Sequence, residues 1–136
     1  MSLAKELIFV ENGKLNFGDY DLKEKSKKED FEFNGDLYKV KTFKEITKLE
    51  KNGLLVYESV PGSSVRDFEF SASGVSFEVE SFGDLQITVE LEESKEYAVY
   101  INDVFSSDIK TNMSGKLVLS AEFEEAKKAK IKLIKK

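Results

Sequence analysis

A chain of 136 residues, 40% hydrophobic and 12% aromatic, carries too much apolar material for an intrinsically disordered segment and fits one β-rich domain over residues 1–136. It has no histidine, cysteine or tryptophan, which excludes imidazole catalysis, Ser-His-Asp and Cys-His acyl transfer, disulfides, and thiolate or imidazole metal sites. The formal charge of −5, from 26 acidic and 21 basic residues, would repel a phosphate backbone, so nucleic acid is not an expected partner and no cofactor or metal is expected.

Residues 7–10, Leu-Ile-Phe-Val, are too few for a signal-peptide core or a membrane span. No membrane association is expected. The expected location is cytoplasmic, or secreted where a signal peptide has been removed. The same four residues and residues 15–17 flank Asn12-Gly13 and predict a hairpin, because both turn residues tolerate the positive φ of a type I′ turn. Asn34-Gly35 predicts a second hairpin, between Phe31-Glu32-Phe33 and residues 37–41. The charged run 23–30 between the hairpins reads as an exposed loop.

Thr42-Phe43-Lys44-Glu45 matches a capping box, and Phe43, Ile46 and Leu49 recur at three-residue spacing. Together they predict one short helix over residues 43–51, stopped by Asn52-Gly53. A hairpin across Asn52-Gly53 is the competing reading. Pro61-Gly62 predicts a type II turn.

From Asp67 onward the pattern has period two. Phe68 and Phe70, then Val75, Phe77 and Val79, then Ile87, Val89 and Leu91 alternate with polar or acidic neighbours. Tyr97, Val99 and Ile101 follow, then Leu117, Leu119, Ala121 and Phe123, and last Ile131 and Leu133. Such alternation gives each strand one dry and one wet face. Six such strands separated by turns suit an antiparallel sandwich or barrel, and the expected fold is mainly β, an antiparallel β-sandwich with N-terminal hairpins and the one short helix. Residues 127–136 hold six lysines and no acid, which leaves 15 basic and 26 acidic residues, a net of −11, on the rest. The tail reads as an edge or terminal strand kept soluble by lysine. An acidic partner is the other reading of that polarity.

Residues 65–133 resemble the small immunoglobulin- or fibronectin-like modules of bacterial proteins, some of them attached to polysaccharide-degrading enzymes. The resemblance rests on Val65-Arg66-Asp67-Phe68, Gly74-Val75-Ser76-Phe77-Glu78-Val79, Tyr97-Ala98-Val99-Tyr100-Ile101, Lys110-Thr111-Asn112 and Gly115-Lys116-Leu117. It implies a non-catalytic accessory role. The turn Asn102-Asp103 lacks the glycine such modules often carry there. The first half resembles only short uncharacterised bacterial proteins.

Candidate chemistry is sparse. Asp19 and Asp21 flank Tyr20 and would start a calcium loop, but the Gly and bidentate Glu of an EF-hand are absent, and a solvated turn is the simpler reading. The loop Pro61-Gly62-Ser63-Ser64, followed by Arg66, offers amides and hydroxyls to an anion but lacks a phosphate-loop pattern. Tyr57 and Tyr100 lie opposite the apolar positions of their strands, and as outward rings with polar tips they are the candidate binding residues. The leading expectation is a non-catalytic interaction module that binds a protein partner or itself. A carbohydrate-binding accessory is the alternative, and an enzyme using carboxylates or tyrosine is the third. A flat apolar patch favours the first, an aromatic row the second, and a deep pocket with two close carboxylates the third.

Overall fold

The computed structural model describes residues 7–122 and 128–136. The expected continuation of the Leu117 strand through Phe123 lies outside the described residues. The described residues form thirteen strands: β1 (Ile8–Glu11), β2 (Lys14–Phe17), β3 (Ser26–Phe33), β4 (Asp36–Phe43), β5 (Ile46–Lys51), β6 (Leu54–Val60) and β7 (Ser64–Ser71). They continue as β8 (Gly74–Glu80), β9 (Leu85–Glu90), β10 (Glu96–Ile101), β11 (Val104–Lys110), β12 (Lys116–Ala121) and β13 (Lys128–Lys135). The first sheet has the order β1-β2-β7-β8-β13-β10-β11, and the second has β12-β9-β6-β5-β4-β3. All pairings are antiparallel. Among the described residues no helix is long and apolar enough to cross a membrane.

The inward face of each sheet is the apolar half of its alternation. Val75, Phe77 and Val79 from β8 and Ala129, Ile131 and Leu133 from β13 are buried, as are Ile87 and Val89 from β9 and Leu117 and Leu119 from β12. These residues join one core lying between two packed sheets, a sandwich-like arrangement. Tyr57 of the second sheet fixes the contact at its centre. Its ring meets Phe17, Phe68 and Phe77 of the first sheet edge-on, at 5.3, 6.1 and 5.5 Å. Edge-to-face packing sets the positive rim of one ring against the negative face of another. Strands β7 to β13, which carry the accessory-module resemblance, are divided between both sheets, and β7 and β9 pair with β2 and β6 of the first half.

The three Asn-Gly turns are all hairpin tips, with φ of 54° and 74°, 52° and 82°, and 51° and 84° across the three pairs. Gly53 therefore does not cap a helix. The helix expected over residues 43–51 is instead the end of β4, a turn at Lys44-Glu45, and β5. The helical spacing of Phe43, Ile46 and Leu49 misled because the inward positions nearest that turn are threonines. Thr42 and Thr47 face each other across the hairpin and are fully buried. Their hydroxyls lie 2.8 Å apart. The Asp19 amide donates to Thr42 Oγ1, and the Ser63 amide donates to Thr47 Oγ1. Polar side chains that satisfy crossing loops thus occupy strand positions where apolar residues would have shown the period.

Three further expectations are corrected. Residues 26–30 of the charged run are strand, because β3 is an edge whose side chains stay in water while its backbone pairs with β4. Pro61-Gly62 is not a type II turn, which needs positive φ at the glycine, and Gly62 is absent from the positive-φ positions. Glycine is needed there for space: a Cβ would lie 1.9 Å from the Phe43 carbonyl oxygen. Finally, the lysine-rich β13 is no edge. It sits between β8 and β10, and its outward Lys128 and Lys130 stand in register with Glu80 and Glu78.

Candidate functional site

Two adjoining cavities that share Lys51 and Phe70 lie beside four of the hairpin tips, lined by Gly13, Asn34 and Ala72 from three of them and by Lys51 and Leu54, which flank Asn52-Gly53. The smaller is about 270 Å³ and reaches Phe33, Tyr38 and Phe68. The larger, about 510 Å³, opens between β5, β6 and β9 on one side and β7, β10 and β13 on the other. Leu54, Leu55, Val56, Phe70, Leu91 and Tyr97 give it an apolar lining. That size and lining suit a cleft for a small ligand or a few residues of a partner. Leu54 is 70% exposed and Phe70 40% exposed, so the cleft presents apolar surface at its mouth.

Lys51, Glu90, Glu92 and Lys135 form the charged border. Lys135 Nζ donates to Glu92 Oε2, which holds the Glu92 carboxyl below its usual range and the Lys135 ammonium above its own. Glu92 is thus kept ionised near neutrality, the wrong state for a general acid. Lys51 reaches Asp36 at 3.8 Å. The loop beside the cleft is pinned from below. The Glu92 amide donates to Tyr97 Oη at 3.3 Å, Thr111 Oγ1 donates to the Glu92 carbonyl at 2.6 Å, and the Lys95 amide donates to Thr111 Oγ1 at 2.9 Å. These bonds tie the loop at residues 92–95 to β10 and to Thr111.

The two tyrosines singled out in the sequence are not brought together. Tyr57 is fully buried, which corrects its expected outward placement. Leu49 pairs with Tyr57 but Glu50 pairs with Leu55, so Val56 is an extra residue on β6. That bulge reverses the side-chain alternation after Leu54 and turns Tyr57 inward. Its hydroxyl meets Ser63 Oγ at 2.9 Å, and burial pushes its pKa up to about 12. Tyr100 is half-buried on the outer face of the first sheet, with its ring 5.8 Å from Phe105 at 71°.

The remaining candidates are used internally. Asp19 is buried, and its Oδ1 accepts the Asp21 amide at 2.9 Å. Among the described residues no group of three or more acidic side chains is placed to hold a metal ion. In the 61–64 loop the Gly62 amide donates to the Lys44 carbonyl and the Ser63 amide to Thr47, so these donors face protein and not an anion.

Sequence reasoning passed over Leu54, Phe70, Glu92 and Lys135. The available signal was Leu54 itself, a large apolar residue directly after an Asn-Gly turn, where the chain is necessarily near solvent. Comparison with protein-family models, with curated proteins and with solved structures finds no match. The cleft therefore stands on its own geometry.

Proposed function

We propose that this chain is a non-catalytic interaction module that receives an apolar segment of a partner protein in the cleft at the hairpin-tip end. The observation that carries this reading is Leu54, exposed and lining, with Phe70, an apolar cleft bordered by a hydrogen-bonded loop. Exposed apolar side chains around a concave site mark a surface built to be covered. The border carries both Lys and Glu, which suits a peptide, whose backbone and side chains offer both signs. An immunoglobulin- or fibronectin-like accessory role fits the same reading. The carbohydrate alternative draws on Tyr100 and Phe105, but rings meeting at 71° do not lie in one plane and so form no flat row for stacked sugars.

Selection of a displayed random-peptide library on the wild-type protein tests the reading, with Leu54→Asp as the control. Leu54 is exposed, so its substitution leaves the fold intact. Wild type should enrich peptides with a shared apolar anchor. Leu54→Asp should bind them at least about tenfold more weakly, as expected when the burial of one leucine is lost. Enriched peptides without a common anchor, or equal binding by the variant, would defeat the proposal.

A further inference from the structure

We propose that two copies of this chain associate through their β12 edges, antiparallel about a two-fold axis at Leu119, so that the two six-stranded sheets become one continuous sheet. The inference does not depend on the cleft. Among the described residues strand β12 pairs only with β9, so one row of its backbone groups faces away from the sheet. Such a row is a template for another strand unless something blunts it.

The other three edges are blunted. Strand β1 is only four residues long. Strand β3 carries Lys27, Lys28, Glu29 and Asp30 in succession, its register breaks between Lys28 and Phe31, and Asp30 sits at φ 56°. Strand β11 breaks register opposite Val99 and Tyr100 and carries Asp108 and Lys110. Strand β12 is longer than β1 and carries its one charged residue, Lys116, at its first position. It keeps an unbroken six-pair register with β9, and no charged residue lies between Lys116 and Glu122.

The sequence of β12 also selects its own copy as the occupant. Centring the antiparallel pair on Leu119 sets Lys116 opposite Glu122, Leu117 opposite Ala121, and Val118 opposite Ser120. The two-fold axis makes each of these contacts twice. Leu117, Leu119 and Ala121 are buried, whereas Lys116, Val118, Ser120 and Glu122 are exposed, so opposed residues share a face. A slip of one residue would oppose inward and outward side chains. Centring on Val118 instead leaves Lys116 opposite Ser120 with no charge pair. Parallel pairing in register would set lysine against lysine. Opposite charges across a strand pair stabilise and like charges destabilise, so Lys116 and Glu122 fix the orientation and register together.

Sedimentation velocity over a range of protein concentration tests this with wild type, Lys116→Glu, Glu122→Lys and the double reversal. Both residues are exposed, and thermal melts confirm that each variant folds. Wild type should pass from monomer to dimer as concentration rises. Each single reversal opposes like charges at two places and should raise the dissociation constant by about tenfold or more. The double reversal should restore the dimer. Mixing the two single variants should yield a heterodimer, because every opposed pair is then complementary. Wild type that stays monomeric up to its solubility limit would overturn the proposal. Single variants that dimerise as well as wild type would place any interface elsewhere and overturn it too. Leu54→Asp should leave the dimer unchanged, and Lys116→Glu should leave peptide capture unchanged, so the two proposals fail separately.

Discussion

Tyr57 places a phenol at the centre of an apolar interior, with Ser63 Oγ as its hydroxyl partner and Ser59 Oγ in turn 2.7 Å from Ser63. Burial raises its pKa from 10.0 to about 12, more than the serine hydrogen bonds pull it back. The folded protein therefore holds this proton more tightly than the unfolded chain does. Its contribution is fully present below pH 10 and is lost as pH rises through 12, by an amount on the order of 3 kcal/mol. Tyr20, raised to about 12 by burial and by its hydrogen bond to Glu80, acts in the same direction. Tyr57→Phe retains Tyr20, so comparing the two proteins isolates Tyr57. At neutral pH the variant should lose about 0.5–1.5 kcal/mol, one hydrogen bond, since Ser63 keeps Ser59. Between pH 10 and 12 its urea midpoint should fall less than that of wild type. Parallel midpoints across that range would show that Tyr57 is not the buried titrating group. Nothing local in the sequence announced this role, because a single bulge at Val56 decided which way the ring points.

Among the elements, the crossing from β6 to β7 depends on contact more than on turn preference. Gly62 lies so close to the β4–β5 turn that its amide donates to the Lys44 carbonyl at 3.0 Å. An alanine Cβ there would strike the Phe43 carbonyl oxygen, a backbone atom with no rotamer to escape into. At Gly35 the space is open and only φ of 82° opposes a side chain. Gly35→Ala should therefore cost about 1–2 kcal/mol, the price of a left-handed residue. Gly62→Ala should reach or exceed the upper end of the roughly 1–3 kcal/mol range for overpacking. Urea melts of both variants decide it, and equal midpoints would show that the crossing yields. The hairpins at Asn12-Gly13 and Asn34-Gly35 were legible because their turn chemistry is contained in two residues. The β4–β5 hairpin was not, because Thr42 and Thr47 are inward for the sake of Asp19 and Ser63, residues far off in the chain. Strand β11 was also missed: Val104, Phe105 and Ser106 are all exposed, so the strand lacks the dry face that gives period two its signal.

Across the whole molecule, charge is distributed so that few acidic side chains converge. Lys130 pairs with Asp103, Lys136 with Glu96 and Asp108, and Lys39 with Glu29. The Asp19 carboxylate serves its own loop by accepting the Asp21 amide. Calcium binds tightly only where six to eight oxygens converge. Thermal melts with calcium and with a chelator, both in moderate salt, should therefore coincide, because loose collection on exposed carboxylates is screened. A calcium-dependent rise in melting temperature would reveal a specific site. By itself the sequence determined the strand class, the facing of most second-half residues and the hairpin tips at Asn12-Gly13 and Asn34-Gly35. Alternation and turn chemistry depend on neighbours along the chain, so they can be read without the fold. Only the tertiary structure decided that β13 is central while β12 is an edge, that Tyr57 points inward, and that Leu54, Phe70, Glu92 and Lys135 share one cleft. Strand order and register come from how two sheets bury their apolar faces against each other. That choice is made between residues distant in sequence, where a local period carries no information.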